Sequence, residues 1–194
     1  VLARAKGFGT AKAYGLYLKN VKTSSVTGIN VSYPGNTRFG DGLRIDNPTA
    51  ITVDNVVARN RFNGVYVVSG AGQVTAQCSV LEDNDAGFKA THNQTIKDSA
   101  FAGNQTAVAG PNSGTKLNAQ KNYWNNPDGA NSQLGGEKFS GQVDASNHVT
   151  SAPSCAVVAC TANSECSSNA CGANKKCTPA KTFTVVNTND AGTG

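Results

Sequence analysis

The sequence predicts an all-β protein built as a parallel β-helix, and three observations carry that prediction. Segments of similar character return every 20 to 25 residues, short alternating apolar runs are broken by Asn and Gly, and no long window has the i, i+3, i+4 apolar spacing of an amphipathic helix. Composition points the same way: the 194 residues include 21 Gly and no Met, and only 15% are charged. A net charge of +5 permits acidic partners without demanding them, and there is no lysine-rich tail to suggest nucleic-acid binding. No apolar stretch approaches the roughly 20 residues needed to span a bilayer.

Taken in order, the repeated first strands are VLARAKGFGT from Val1, VTGINVSYPGN from Val26, ITVDNVVARN from Ile51, VTAQCSVLEDN from Val74, QTIKDSAFAGN from Gln94 and LNAQKNYWNN from Leu117. Most end in Asn (Asn36, Asn60, Asn84, Asn104). Between them lies a second strand opening on Gly: GLYL at Gly15, GLRI at Gly42, GVYV at Gly64, GFKA at Gly87, then a weaker AVA at Ala107. One such unit cannot bury its apolar face alone, so units stack and share a continuous interior.

Superposing the repeats predicts inward columns of Leu16, Leu43, Val65, Phe88 and Ala107, and of Leu18, Ile45, Val67, Ala90 and Ala109. In the first strand Phe8, Tyr33, Leu81, Phe101 and Trp124 form a column of large residues, with the Ile51 repeat shifted by one. Cys78 aligns with Asn30, Asn55 and Asp98, a polar ladder position, and is expected as a buried free thiol.

These repeats resemble right-handed parallel β-helix proteins of the pectate-lyase-like superfold, of the bacterial extracellular kind. The stretch KNYWNNPDGANSQLGGEKFSGQVDASNHVTSAP resembles the motif that closes many such helices, except that Asn125 follows the Trp where Gly is usual. The resemblance covers Val1 to about Pro153. It implies a right-handed helix of about five to six coils but no single activity, because this fold hosts lyases, hydrolases, adhesins and inert scaffolds.

Composition changes at Ser154. Cys155, Cys160, Cys166, Cys171 and Cys177 are separated by four, five, four and five residues. A segment with so few large apolar residues needs disulfides to hold a shape, and an oxidising, extracellular or cell-surface location follows. The alternative of zinc is weakened by the lack of His and of a C-x2-C pair in the segment. Five is odd, so one thiol is left free, bonded elsewhere in the chain, or bonded to a neighbouring molecule. The expected division is 1–153 helix, 154–179 cysteine-rich module and 180–194 a strand, TFTVVNTNDAGTG, that resembles the opening of another β-helix. Because Val1 already occupies the first position of a repeat, two arrangements are expected. The chain is a segment of a longer array, or its last strand completes the open coil of another copy in a head-to-tail filament.

The outward column Tyr17, Arg44, Tyr66, Lys89 and Val108 is the candidate glycan face. Rings interleaved with cations stack on sugars and pair with their carboxylates; the same groups also stabilise a solvated sheet without any ligand. A second cluster, RFGDGLRID, contributes Arg38, Asp41, Arg44 and Asp46, near Arg59, Arg61, Asp83 and Asp85. The resemblance to polysaccharide lyases implies a basic residue as proton acceptor and calcium held by acids, yet no run of neighbouring acids projects from one face. The paired carboxylates of glycosidases are not evident either. His92 and His148 read as turn or surface residues. An outward Thr27, Thr52, Thr75, Thr95 column is too mixed with its neighbours for an ice-binding face. The N-x-[ST] matches at Asn30, Asn93 and Asn104 read as chance.

The leading expectation is thus a non-enzymatic extracellular structural protein without cofactor, touching other copies of itself and acidic polysaccharide. A polysaccharide lyase using calcium is the competing one, and a piece of a larger adhesin or multidomain β-helix protein is a third.

Overall fold

A computed structural model describes residues 14–34, 37–68, 70, 72–130 and 136–156. They belong to one compact unit, Val1–Val157. The second unit, Val158–Gly194, lies outside the described residues, and with it the expectations for Cys160, Cys166, Cys171, Cys177 and the strand from 180. The unit boundary places Cys155 with the helix.

The described chain forms β1 (Tyr14–Lys19), β2 (Ser24–Asn30), β3 (Asp41–Asp46), β4 (Ala50–Arg59), β5 (Asn63–Val67), β6 (Gln73–Gln77) and β7 (Val80–Glu82). It continues with β8 (Ala86–Ala90), β9 (Thr95–Lys97), β10 (Ala100–Ala102), β11 (Thr106–Ala109), β12 (Leu117–Asn118), β13 (Phe139–Ser140) and β14 (Val143–Asp144). One sheet has the order β1-β3-β5-β8-β11-β13 and the other β10-β7-β4-β6-β9-β12-β14, with β2 also on β4. Every pairing is parallel. The result is a β-solenoid of about five turns, as the repeats predict.

The interior follows the expected columns closely in the middle coils. Leu16, Leu43, Val65 and Phe88 lie in register, and the last three are wholly buried. Each such side chain contributes ~1.5–3 kcal/mol on leaving water. Leu81, Phe101 and Trp124 stack behind them, and the Trp124 ring sits 4.8 Å from Phe101 and 4.8 Å from Phe139. The glycines opening the second strand have a steric cause. A Cβ on Gly42, Gly64 or Gly87 would meet the carbonyl oxygen of the next coil at 2.5, 2.6 and 2.7 Å.

Two stretches sit differently from the superposed repeats. In the first coil Ser24 pairs with Ile51 and Val26 with Val53, a slip of two residues. Because side chains alternate with period two, the slip leaves inside and outside unchanged. Val31, not Tyr33, therefore joins the large-residue column, Gly28, not Asn30, joins Cys78, and Ser25, not Thr27, joins the threonines. Ala58 occupies that large-residue column in the Ile51 repeat without the expected shift. In the fifth coil Val108 pairs with Phe88 and Ala109 with Lys89. This slip is of one residue, so it exchanges the faces: Val108 is buried, and Ala109 takes the outward position expected for Val108.

The second sheet bends at a column of residues with left-handed backbone. Gly28, Asn55, Cys78 and Asp98 have φ of 66, 54, 51 and 49°. Gly, Asn and Asp tolerate this region best. Just past the bend, buried side chains replace the missing sheet bonds. The Val56 N–H donates to Ser79 Oγ, Ser79 N–H to Ser99 Oγ at 3.1 Å, and Ser99 N–H to Asn122 Oδ1 at 3.0 Å.

At the next bend a second ladder runs Arg61, Asn84, Asn104, Glu137. The N–H of Arg61 donates to Asn84 Oδ1, and the N–H of Asn84 to Asn104 Oδ1. The Asn104 amide in turn donates to Leu81 O at 2.8 Å and Glu137 Oε2 at 3.2 Å.

Candidate functional site

The first sheet carries Tyr17, Arg44, Tyr66 and Lys89 outward on successive coils, as expected from the repeat. Parallel pairing in register is what brings them together: each is one strand from the next. The guanidinium of Arg44 lies 5.4 Å from the Tyr14 ring centre and 5.0 Å from that of Tyr66, and the Lys89 ammonium lies 5.0 Å from Tyr66. Tyr14 also packs at 5.2 Å from Tyr17.

The polar ends of this file are occupied. Arg44 forms an ion pair with Asp41 at 3.1 Å, and Asp41 also accepts from the Asn63 amide. The Tyr17 hydroxyl donates to Asp46 at 3.2 Å. Partial burial and then Asp46 raise the Tyr17 phenol above its ordinary value, so it remains a donor at neutral pH. What stays open to a ligand is the Tyr17 ring, 41% exposed, and the Lys89 ammonium, paired in this structure only with an aromatic face among the described residues. Chemically the face can stack on a sugar at one end and present a cation to a carboxylate at the other.

The RFGDGLRID cluster is dispersed into pairs. Arg38 bonds to the Asp83 carbonyl at 2.8 Å and to the Asp85 carboxylate at 2.9 Å, tying the first turn to a coil well along the chain. Arg59 pairs with Glu82 at 2.6 Å. Arg61 is buried, donating to the carbonyls of Val31, Ser32 and Phe39 beneath the Tyr33 ring, and its burial lowers its affinity for the proton. Burial, and then Glu82, raise the Asp83 carboxyl. Among the described residues no group of three or more His, Cys, Asp and Glu could hold a metal ion. His148 packs on a turn, its Nε2 3.2 Å from Pro127 O, and His92 touches Thr91. The Asn104 amide is engaged in the ladder, which leaves that sequence match no free nitrogen for a glycan.

Cys78 is not a free thiol. It is bonded to Cys155, 77 residues later, with Cα atoms 5.0 Å apart. The left-handed bend turns the Cys78 side chain outward, where the returning chain reaches it. Asn147 accepts from the Lys121 N–H and Val149 donates to Asn122 O on the last pass. The chain then crosses back over the column, placing Cys155 Sγ 3.6 Å from Asp98 O before it meets Cys78. Cys155 is therefore a disulfide residue, as expected, but its partner lies on the helix. The other four cysteines, outside the described residues, are even in number, and the arithmetic reason for a spare thiol is gone.

Sequence reasoning missed the Cys78–Cys155 bond, the buried Arg61 and the buried Glu137. The total of six cysteines was the available signal for the first; Arg61 and Glu137 carry none, since an isolated charge in a turn reads as solvated. Comparison with protein-family models, with curated proteins and with solved structures finds no match.

Proposed function

We propose that this chain is a structural β-solenoid of an extracellular or cell-surface protein, of the right-handed pectate-lyase-like kind and of bacterial type. The observation that carries this reading is the pairing of its outward arginines with carboxylates. Arg38, Arg44 and Arg59 each hold a carboxylate, on the same or another coil. A catalytic base needs a substrate proton within reach, and a guanidinium held by a carboxylate is a poor one. The disulfide strap supports an oxidising location, where such bonds persist.

Contact with acidic polysaccharide belongs to the same reading, through Tyr17 and Lys89 with Tyr66 and Arg44 between them. Head-to-tail assembly is supported by the parallel edges: β13 and β14 are the outermost strands at their ends of the two sheets among the described residues, and a further parallel strand extends such an edge. The test is twofold. Electron microscopy of purified protein should show rods or fibres, and absorbance assays on uronate polymers, with and without calcium, should show no new unsaturated ends. Turnover abolished by Arg44→Ala or Lys89→Ala would replace this reading with a lyase.

A further inference from the structure

The second buried ladder ends in a way that the rest of the solenoid does not require. The Glu137 N–H donates to Trp124 O at 3.3 Å, setting Glu137 beside that coil. Glu137 is 7% exposed. Its carboxylate takes the place that another Asn would hold, accepting from the backbone N–H groups of Gly103 and Asn104 and from the Asn104 amide. The ladder is polar along its length. The Asn84 and Asn104 carbonyl oxygens face back toward Arg61, and each NH2 group donates one N–H forward, to Asn104 or Glu137, and one back, to Ala58 O or Leu81 O. The side-chain amides thus run head to tail, with the Arg61 backbone N–H at the oxygen end and a carboxyl at the nitrogen end.

That carboxyl has no cation in ion-pair contact among the described residues. Asp83, at the bend of an earlier coil, disfavours the Glu137 charge more weakly than burial does, and Glu82, Arg38 and Arg59 act on Asp83 in turn. Lys138, next in the chain, is exposed. The segment Glu137 anchors carries β13 and β14, the final strands among the described residues. Lys138 O accepts from the Ala107 N–H at 2.7 Å, and Phe139 covers Trp124.

We propose that Glu137 is a proton-operated latch for the last coil. Protonated, it seats on the end of the amide ladder as a neutral acceptor; ionised, it leaves a charge inside the core with no cation in ion-pair contact among the described residues, and loosens the coil. Burial pushes this carboxyl from 4.5 up to about 7, the ladder N–H groups opposing and Asp83 adding to the rise. Between those values the folded chain binds the proton more tightly than the unfolded chain. The latch is therefore firmest below the unfolded value and weakens as pH rises through about 7.

The experiment is denaturant unfolding of the full chain and of Glu137→Gln between pH 5 and 8. The parent's folding constant should fall roughly 10²-fold over that range, and the variant's much less. Amide exchange in the parent supplies a reading that needs no variant. The Gly103, Asn104 and Ala107 amides should lose more protection from pH 6 to 8 than the Val65 and Phe88 amides. A pH-independent parent, an equal slope in the variant, or protection lost uniformly along the helix would each overturn the latch.

Discussion

Removing the Cys78–Cys155 bond should be among the costliest single changes to this solenoid. The bond joins residues 77 apart and so closes a loop holding the third to last coils. Chain entropy for a loop of that length gives ~4.5 kcal/mol at 25 °C, a factor of more than ~10³ in the folding constant. The variant must not add backbone strain, because Cys78 sits at φ 51°. Cys78→Asn with Cys155→Ser meets that need, since Asn55 already holds the same place one coil earlier at φ 54°. Urea unfolding of the double variant against the parent measures the loss. The urea dependence should steepen as the unfolded chain expands. A loss below ~1 kcal/mol would refute the entropic argument. Alkylation of Cys78 in the unreduced parent would refute the bond itself.

Asn122 holds three backbone groups inside the protein: Ile96 O at 2.9 Å, Ala119 O at 2.7 Å and the Ser99 N–H at 3.0 Å. Asn122→Leu leaves all three unpaired at ~1–3 kcal/mol each, so urea unfolding should show a loss above ~3 kcal/mol, while exposed Gln105→Ala stays within ~0.5. Gly64→Ala drives a Cβ against Gly87 O and should lower stability by ~1–3 kcal/mol, read from the thermal midpoint. The sole Trp is fully buried, so fluorescence should shift to the red on unfolding. Trp124→Ala should cost ~3–5 kcal/mol, and Trp124→Phe less, since the buried indole N–H has no partner among the described residues. Tyr66→Ala removes the ring shared by Arg44 and Lys89 and should cost about 1–2 kcal/mol in the same unfolding assay, with weaker retention on an acidic glycan column if the face binds one.

Periodicity made the architecture legible before any coordinates. The recurrence of Gly-Leu or Gly-Val pairs and of terminal Asn set the coil length, and the alternation within each strand sorted Leu43, Val65 and Phe88 inward from Arg44, Tyr66 and Lys89 outward. Those are local properties: a side chain's face follows from its parity along the strand, and stacking follows from every coil having the same apolar face to hide. Slips of register were harder to see. The two-residue slip at Ser24 leaves parity intact and is silent in the pattern, and the fifth coil, AVA, has too few large residues to reveal a slip of one.

What the amino-acid order determined alone was a stack of parallel coils, its middle columns and its outward file of rings and cations. Tertiary structure decided the rest: that Cys155 doubles back to Cys78, that Arg38 reaches Asp85, and that Glu137 re-enters to finish the amide ladder. Each joins residues far apart in the chain through the path of an irregular loop. No periodic signal records such a path, because it depends on where the chain ends up once the coils have stacked.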